Sequence, residues 1–294
     1  MFKRAAGSHV KVAIVGPGAV GGAVSAHLAT VDGIEQFLCA RTPLAFITLE
    51  TEQGRLFSKP RVHLTLRGVE VADWVIVATK AYDNSRAAAW LPPMTGDRTR
   101  VAVLQNGVDH VERFAPYFNR DRILETVVDV PVDRIAPGHL RERRPGLICV
   151  PDTDAGRDFC ALFQRSSLRV QTAADFVTAA WRKLCFNSAG AVSAIALSRD
   201  AVTHHGAACD LARLLAAECA AVGRAEGAVL AADIVEEVLE DLKRPNAGVN
   251  SLLADRLAGR PMEVHERNGI IVQKGAKHRI PTPANAFVAD FLGG

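Results

Sequence analysis

Apolar residues in the first half of the chain form short runs that alternate with helix-like segments. The runs Val10–Val15, 34–40, 74–78 and 101–104 lack a two-residue alternation of apolar and polar positions, which is typical of strands buried on both faces. An alanine-rich segment at 19–30 predicts a helix directly after the first run. Strands that alternate with helices predict a parallel sheet covered on both sides.

The rest of this half has weaker strand patterns, and the type of pattern changes from strand to helix near residue 172. Two extended pieces around Pro60 predict a hairpin, and segments 123–131 and 140–150 predict antiparallel strands at the sheet edge. Beyond them, helical periodicity replaces strand patterns, and the predicted helices are 175–194, 200–226, 232–242, 251–258, 263–277 and 283–291. We therefore expect an α/β domain over residues 1–172 and an all-α domain over residues 173–294.

Composition narrows the class of protein without changing this picture. The 294 residues exceed what one core usually serves, which agrees with two domains. A net charge of +3 and the lack of a basic run argue against a nucleic-acid partner. No run reaches the roughly 18 apolar residues of a membrane span, and the first nine residues lack the apolar core of a signal peptide. The six cysteines form no C-x-x-C pair, so we expect reduced thiols and a cytoplasmic protein.

The segment Gly16-Pro17-Gly18-Ala19-Val20-Gly21 matches the G-x-G-x-x-G pattern between a predicted strand and a predicted helix. The first glycine permits a tight turn, the second lets the backbone approach a pyrophosphate, and the third allows close packing of helix on strand. The helix N-terminus supplies N–H donors to the phosphates. The pattern predicts a dinucleotide site, the alternative being a glycine turn that binds nothing.

Three polar residues follow the ends of later predicted strands, where ligands bind in such sheets. Arg41 follows the second strand, at the position where an acidic residue would indicate NAD, and its charge suits the 2′-phosphate of NADP. Lys80 and Asn106 follow the next two strands, where they could contact the cofactor or the substrate. The residues alone leave open a solvated arginine, a surface lysine and a plain Asn-Gly turn.

Candidate catalytic groups lie in the helical half. Lys183 and Asn187 are four residues apart and share one helix face, and apolar neighbours would partly shield Lys183 from water, which favours proton transfer. Glu263 begins a predicted helix, where a carboxylate is favourable. Asn250 and Ser251 end a loop, 245–251, that offers amide and hydroxyl donors to a carboxylate. The residues alone leave three alternatives open: Lys183 could extend into solvent, Glu263 could be only a favourable charge at a helix end, and the loop could be only a turn.

Other chemistries lack their motifs. The sequence has no Walker motif, no second histidine at zincin spacing after His265-Glu266 and no G-x-S-x-G elbow. The nine histidines form no ligand cluster, so no metal site is expected.

Motifs along nearly the whole chain occur together in the order and spacing of one enzyme family. They are Val15-Gly16-Pro17-Gly18-Ala19-Val20-Gly21-Gly22, Val77-Ala78-Thr79-Lys80-Ala81-Tyr82-Asp83, Leu104-Gln105-Asn106-Gly107, Trp181-Arg182-Lys183-Leu184 with Asn187, Asn250-Ser251-Leu252-Leu253-Ala254-Asp255, Gly259-Arg260-Pro261-Met262-Glu263-Val264, Asn268-Gly269 and Thr282-Pro283. With them the chain resembles the ketopantoate reductase (2-dehydropantoate 2-reductase) family. The resemblance implies a Rossmann domain followed by a helical domain, and reduction of ketopantoate with NADPH in pantothenate synthesis.

The resemblance also implies roles for individual residues. Lys183 becomes the general acid and Glu263 its carboxylate partner. Asn106 and Asn187 are implied to contact the substrate or the nicotinamide. Asn250 and Ser251 are implied to bind the substrate, with Ser251 at the substrate carboxylate. Arg41 and Lys80 are implied to bind the cofactor.

The sequence departs from the family pattern at three places. Ala191 stands where many members carry a second asparagine, Asn250-Ser251 replaces paired serines, and the charged run 141–144 replaces a glycine-rich stretch. These departures concern substrate recognition, so a paralogue acting on another 2-oxo or 3-oxo acid is one alternative. A non-catalytic NADP-sensing protein is another. A homodimer is compatible with the resemblance, although the oligomeric state is not readable from the residues.

Overall fold

Short runs of β-branched and other apolar residues form the strands of the first half of the chain. The computed structural model describes residues 9–244 and 249–293. The strands are β1 (Val10–Val15), β2 (Ile34–Cys39), β3 (Ile47–Thr51), β4 (Gly54–Ser58), β5 (Arg61–His63), β6 (Trp74–Val77), β7 (Arg100–Val103), β8 (Ile123–Glu125), β9 (Val127–Asp129), β10 (Val132–Ala136), β11 (His139–Glu142), β12 (Leu147–Pro151) and β13 (Arg169–Ala173).

The main sheet of the described residues has six parallel strands in the order β5-β2-β1-β6-β7-β8. Numbered along the chain within this sheet, the order is 3-2-1-4-5-6, that of the Rossmann fold. The order reverses between β1 and β6. In sheets of this kind, ligands bind beyond the carboxyl ends of the strands at that reversal.

Neighbouring residues of β1 enter different cores, because successive side chains of a strand point to opposite faces. Val12 and Ile14 belong to the cluster that also contains Phe159. Ala13 and Val15 belong to a second cluster on the other side of the sheet. The main sheet is therefore covered on both faces, as the uninterrupted apolar runs predict.

The remaining strands correct two predictions. The hairpin around Pro60 is wrong, because β4 pairs with β3 before it, whereas β5 lies parallel to β2. The antiparallel assignment is wrong for β8, which extends the main sheet in parallel. The other strands form two smaller mixed sheets, in the orders β10-β11-β3-β4 and β13-β12-β9.

Helices cover the sheet and build the second half of the chain. They are α1 (Ala19–Leu28), α2 (Asn84–Ala88), α3 (Leu91–Met94), α4 (His110–Phe114), α5 (Asp154–Ala161), α6 (Phe176–Ala189), α7 (Ala191–Ala196), α8 (Ala201–His204), α9 (Gly206–Ala225), α10 (Ile234–Lys243), α11 (Ser251–Leu257), α12 (Ile270–His278) and α13 (Pro283–Gly293). A π-helical turn, His265–Gly269, precedes α12. Two of the long predicted helices are thus divided, into α6 with α7 and α8 with α9.

The chain divides into two compact units. The first runs up to Gln105 and continues over Asp109–Phe176, and the second holds Asn106–Val108 and the described residues from Val177 onward. All strands of the described residues lie in the first unit, and the second is helical, which confirms the predicted fold class. Among the residues described, no helix is long and apolar enough to cross a bilayer.

Candidate active site

The glycine turn between β1 and α1 has the shape that a pyrophosphate requires. Gly16 has φ +88°, and a Cβ there would lie 2.6 Å from Cγ2 of Thr79. A Cβ on Gly21 would lie 2.4 Å from the carbonyl oxygen of Gly16, so helix and turn are packed too closely for a side chain. A Cβ on Gly18 would meet no atom within 4 Å, which leaves open space in front of this backbone.

The first turn of α1 is suited to an anion. Gly18 is its N-cap, no side chain caps the turn, and the turn contains no acidic residue. Pro17, Ala19 and Val20 are partly exposed around it. The dipole and N–H groups of this helix end are therefore available to phosphate oxygens. The residues present fit a dinucleotide.

A buried amide fixes the neighbouring strand ends. Gln105 Nε2 donates to the carbonyl oxygen of Thr79 at 3.0 Å and to Oδ1 of Asn84 at 2.6 Å. Arg113 Nη1 donates to Oε1 of Gln105 at 3.0 Å. The backbone after β6 is thereby tied to the backbone after β7. Lys80, half-buried, directly follows Thr79.

Arg41 lies just beyond β2, with 76% of its side chain exposed. Its Nη1 is 3.4 Å from Oδ2 of Asp83, and Nη1 of Arg86 is 3.2 Å from Oδ1 of the same carboxylate. Asp83 therefore holds two exposed guanidinium groups near the end of β2. Arg86 was missed by the sequence analysis, because no motif marks this position. Only the ion pairs of Asp83 show that Arg86 lies near Arg41.

The second unit brings three predicted site residues into one hydrogen-bonded chain. Asn187 Nδ2 donates to Oδ1 of Asn106 at 3.3 Å, and Asn106 Nδ2 donates to Oε2 of Glu263 at 3.1 Å. Glu263 is 4% exposed. A carboxylate this deeply buried needs polar partners, and the Asn106 amide supplies one of them. Glu263 precedes the π-helical turn rather than beginning a helix, so its predicted place in a first turn is wrong.

Helix α6 presents Lys183 and Asn187 on one face. Trp181, Leu184 and Cys185 are buried in the core of the second unit, whereas Arg182 is exposed. Lys183 and Asn187 are both half-buried. Residues four apart on a helix are neighbours, so Lys183 lies one turn before Asn187 on the same face of α6.

Asn250 and Ser251 begin α11 and have different surroundings. Asn250 is the N-cap, because its Oδ1 accepts from the backbone N–H of Leu253 at 3.0 Å, and its Nδ2 donates to the carbonyl oxygen of Gly190 at 2.9 Å. Ser251 is exposed, and Arg267 Nη2 donates to its Oγ at 2.7 Å. Residues 245–248 of the predicted binding loop lie outside the described residues.

The residues at which the sequence departs from the family pattern make contacts within the protein. Ala191 is fully buried in the core of the second unit. In the charged run, Arg141 Nε donates to Glu50 at 2.8 Å and Arg144 Nη2 donates to Asp129 at 2.8 Å. Glu142 accepts the backbone N–H of Gly146. This run therefore makes its contacts within the first unit, through two exposed ion pairs and a turn.

Comparison with known proteins identifies relatives along the whole chain. The family model "Ketopantoate reductase PanE/ApbA" matches residues 12–155, and its C-terminal counterpart matches residues 175–294. A 2-dehydropantoate 2-reductase of Caulobacter vibrioides is 44% identical over 282 residues, 96% of this chain and 97% of the relative. One from Mycobacterium tuberculosis is 37% identical over 284 residues, 96% of each chain.

A solved structure extends the likeness to the fold. The PanE/ApbA family ketopantoate reductase of Ralstonia eutropha has a TM-score of 0.85 and 29% identity, covering 96% of this chain and 97% of that one.

Proposed function

This chain belongs to the ketopantoate reductase family, and we propose that it reduces ketopantoate to pantoate with NADPH, a step of pantothenate biosynthesis. The observation that carries the proposal is the buried Glu263 carboxylate, joined through Asn106 to Asn187 on the helix that bears Lys183. Such a group of residues offers a proton and oriented polar contacts, which carbonyl reduction requires.

The turn Gly16 to Gly21 holds the pyrophosphate of a nicotinamide dinucleotide, because it follows a strand of the main sheet and leaves its backbone open in front of a helix N-terminus. When bound, the reduced cofactor supplies a hydride to the substrate carbonyl carbon. Arg41 supports NADP rather than NAD, since an exposed guanidinium pairs well with the 2′-phosphate. Lys80, at the end of β6, adds a second positive charge beside this site.

Lys183 donates the proton. As the carbonyl carbon is reduced, negative charge develops on its oxygen, and the ammonium group stabilises that charge and gives up a proton to form the hydroxyl. The neutral amine regains a proton from water. Glu263 is the carboxylate partner of Lys183, and Asn106 keeps the carboxylate oriented. Asn187 presents its amide to the substrate oxygen from the same helix face.

Ser251 binds the substrate carboxylate. Its hydroxyl is exposed, whereas both polar ends of the neighbouring Asn250 already hold backbone groups. We therefore assign the principal carboxylate contact to Ser251, with one remaining amide hydrogen of Asn250 as a second donor.

The test is Lys183→Ala with Arg182→Ala as the matched control. Loss of the proton donor should lower kcat by about 10²- to 10⁴-fold and leave the Kd for NADPH within about twofold. Arg182 is a cation on the same helix, exposed and paired with Glu237, so its removal should leave kcat nearly unchanged. A Lys183→Ala enzyme with wild-type turnover would refute the mechanism.

Substrate choice is tested separately by NADPH oxidation with ketopantoate against a panel of 2-oxo and 3-oxo acids, with NADH as the control cofactor. Faster turnover of another acid would assign the chain to a paralogous activity. Tight NADPH binding without oxidation by any acid would favour the sensing protein. The cytoplasmic location, the homodimer and the domain boundary at residue 172 stay predictions.

A further inference from the structure

Arg267 is a buried cation for which the mechanism above has no role. It is 4% exposed, although arginine is rarely buried without a specific partner. It lies in the middle of the π-helical turn His265–Gly269, where the backbone N–H of Gly269 bonds the carbonyl oxygen of Val264, five residues earlier. π-Helical turns inside helices occur frequently at functional sites.

The contacts of Arg267 link two predicted site residues. Nη2 donates to Oγ of Ser251 at 2.7 Å, and Nη1 donates to the carbonyl oxygen of Asn187 at 3.5 Å. Nε is also buried and has no hydrogen-bond acceptor within the described residues. The guanidinium thus connects the start of α11 with the end of α6, which carries Lys183.

The surroundings keep this guanidinium charged. Burial lowers the pKa of Arg267, and the nearby carboxylates of Glu263, Asp255 and Glu266 counteract that effect. Arginine stays protonated in proteins, so the site contains a fixed positive charge. All three carboxylates are buried, so the guanidinium has anionic neighbours inside the unit.

The direction of the hydrogen bond determines what Ser251 can do. A guanidinium only donates, so Oγ of Ser251 accepts from Arg267 and its own hydrogen points elsewhere. Because Ser251 is exposed while Arg267 is buried, that hydrogen is available to a ligand arriving from solvent. A charged donor behind a hydroxyl polarises it and makes it a stronger donor to an anion.

We propose that Arg267 is a positioning residue that holds the Ser251 hydroxyl as a donor for the carboxylate of the 2-oxo acid. The inference rests on the proposed function and adds a determinant of substrate affinity to it. The charge of Arg267 favours an anionic substrate, and its Nη1 donates to the carbonyl oxygen of Asn187. The carboxylate contact and the α6 helix end are thereby fixed by one side chain.

The experiment measures kcat and KM for ketopantoate in Arg267→Met, Arg267→Lys, Ser251→Ala and the double variant Arg267→Met/Ser251→Ala. Methionine is unbranched and fills a similar space without charge, whereas lysine keeps the charge but loses the forked donors. Arg267→Met should raise KM about tenfold, with kcat within about threefold, because a charge-assisted contact is lost. Arg267→Lys should recover part of that affinity.

The double variant distinguishes positioning from a separate contribution. If Arg267 acts through Ser251, the double variant should have a KM no higher than that of Ser251→Ala. Arg256→Met is the matched control, since Arg256 donates to the backbone carbonyl of Ala194 and lies over Phe291. Its loss should lower the melting temperature without changing KM.

Two results would overturn the inference: an unchanged KM in a folded Arg267→Met enzyme, or a double variant whose KM rises by the product of the two single effects. Arg267→Lys also serves as a control for misfolding, because lysine keeps the buried positive charge that methionine removes. A wild-type enzyme that reduces no 2-oxo acid would instead refute the proposed function, and with it this inference.

Discussion

Replacing Gly18 by alanine should separate cofactor binding from folding. A Cβ at Gly18 meets no protein atom within 4 Å, but the backbone there, with φ −75° and ψ −148°, lies beyond the usual β region and alanine is a poorer N-cap than glycine, so the free energy of unfolding should fall by about 1 kcal/mol. The same methyl group would occupy the space through which the pyrophosphate approaches the backbone. Loss of one hydrogen bond to a charged group costs about 2 kcal/mol, which corresponds to a rise of about 30-fold in the Kd for NADPH.

Gly21→Ala is the matched variant in the same turn. Its Cβ would lie 2.4 Å from the carbonyl oxygen of Gly16 and 3.0 Å from Cβ of Ala78. Such overpacking costs about 1–3 kcal/mol, of which the better helix propensity of alanine offsets up to about 1 kcal/mol. We expect a melting temperature lower by about 5 °C in the absence of cofactor.

The assay combines thermal unfolding of both variants with fluorescence titration of NADPH. Gly18→Ala should lose far more NADPH affinity than its small loss of stability explains, whereas Gly21→Ala should unfold early. If Gly18→Ala binds NADPH with wild-type affinity, the turn does not hold the pyrophosphate and the reasoning from its open space is wrong.

Three further predictions concern charge. Arg41→Ala should weaken NADPH about tenfold and leave NADH unchanged, as measured by the two Kd values; equal losses would exclude a 2′-phosphate contact. Burial alone would raise the pKa of Glu226, but hydrogen bonds from Lys274, His278 and Lys277 lower it to about 2. Glu226→Gln should therefore lower the free energy of unfolding, measured in urea at pH 7, by about 2 kcal/mol. That cost should shrink as the pH falls from 4.5 towards 2, and a pH-independent cost would contradict this assignment. Burial lowers the pKa of His27 from 6.5 to about 4, so its neutral form contributes about 3 kcal/mol of stability above pH 6.5 that is lost as the pH falls to 4; His27→Gln should flatten this part of the pH profile of unfolding.

Local sequence signals predicted the dinucleotide-binding half well. The run Val10–Val15, the glycine turn and α1 follow one another directly, so the strand-turn-helix unit is contained in neighbouring residues. The predicted parallel sheet with helices on both faces is confirmed for the same reason. The change of pattern near residue 172 likewise indicated a helical second half.

Pairing between distant segments could not be predicted in the same way. The two pieces around Pro60 look like a hairpin, yet each finds its partner in an earlier strand, because burial against the whole sheet decides pairing. Asn106 and Glu263 are 157 positions apart, so their hydrogen bond leaves no trace in spacing. Arg267 was missed because a regular helix would expose part of the polar run 266–268, whereas the structure buries it all.

The wide turn at His265–Gly269 has a consequence for how the chain tolerates changes in length. A π-helical turn contains one residue more than the α-helical turn that it replaces. Deleting that residue would restore a regular turn, but successive residues of an α-helix lie about 100° apart around the axis, so the buried side chains of Glu266, Arg267 and Asn268 could no longer all face the interior. Asn268, held by Asn285 at 2.9 Å, and Glu263, held by Asn106, could then no longer keep their partners together. The irregular backbone is thus the condition under which both anchors and the Arg267–Ser251 hydrogen bond form at once, and a shortened, straighter helix would gain regularity and lose the site.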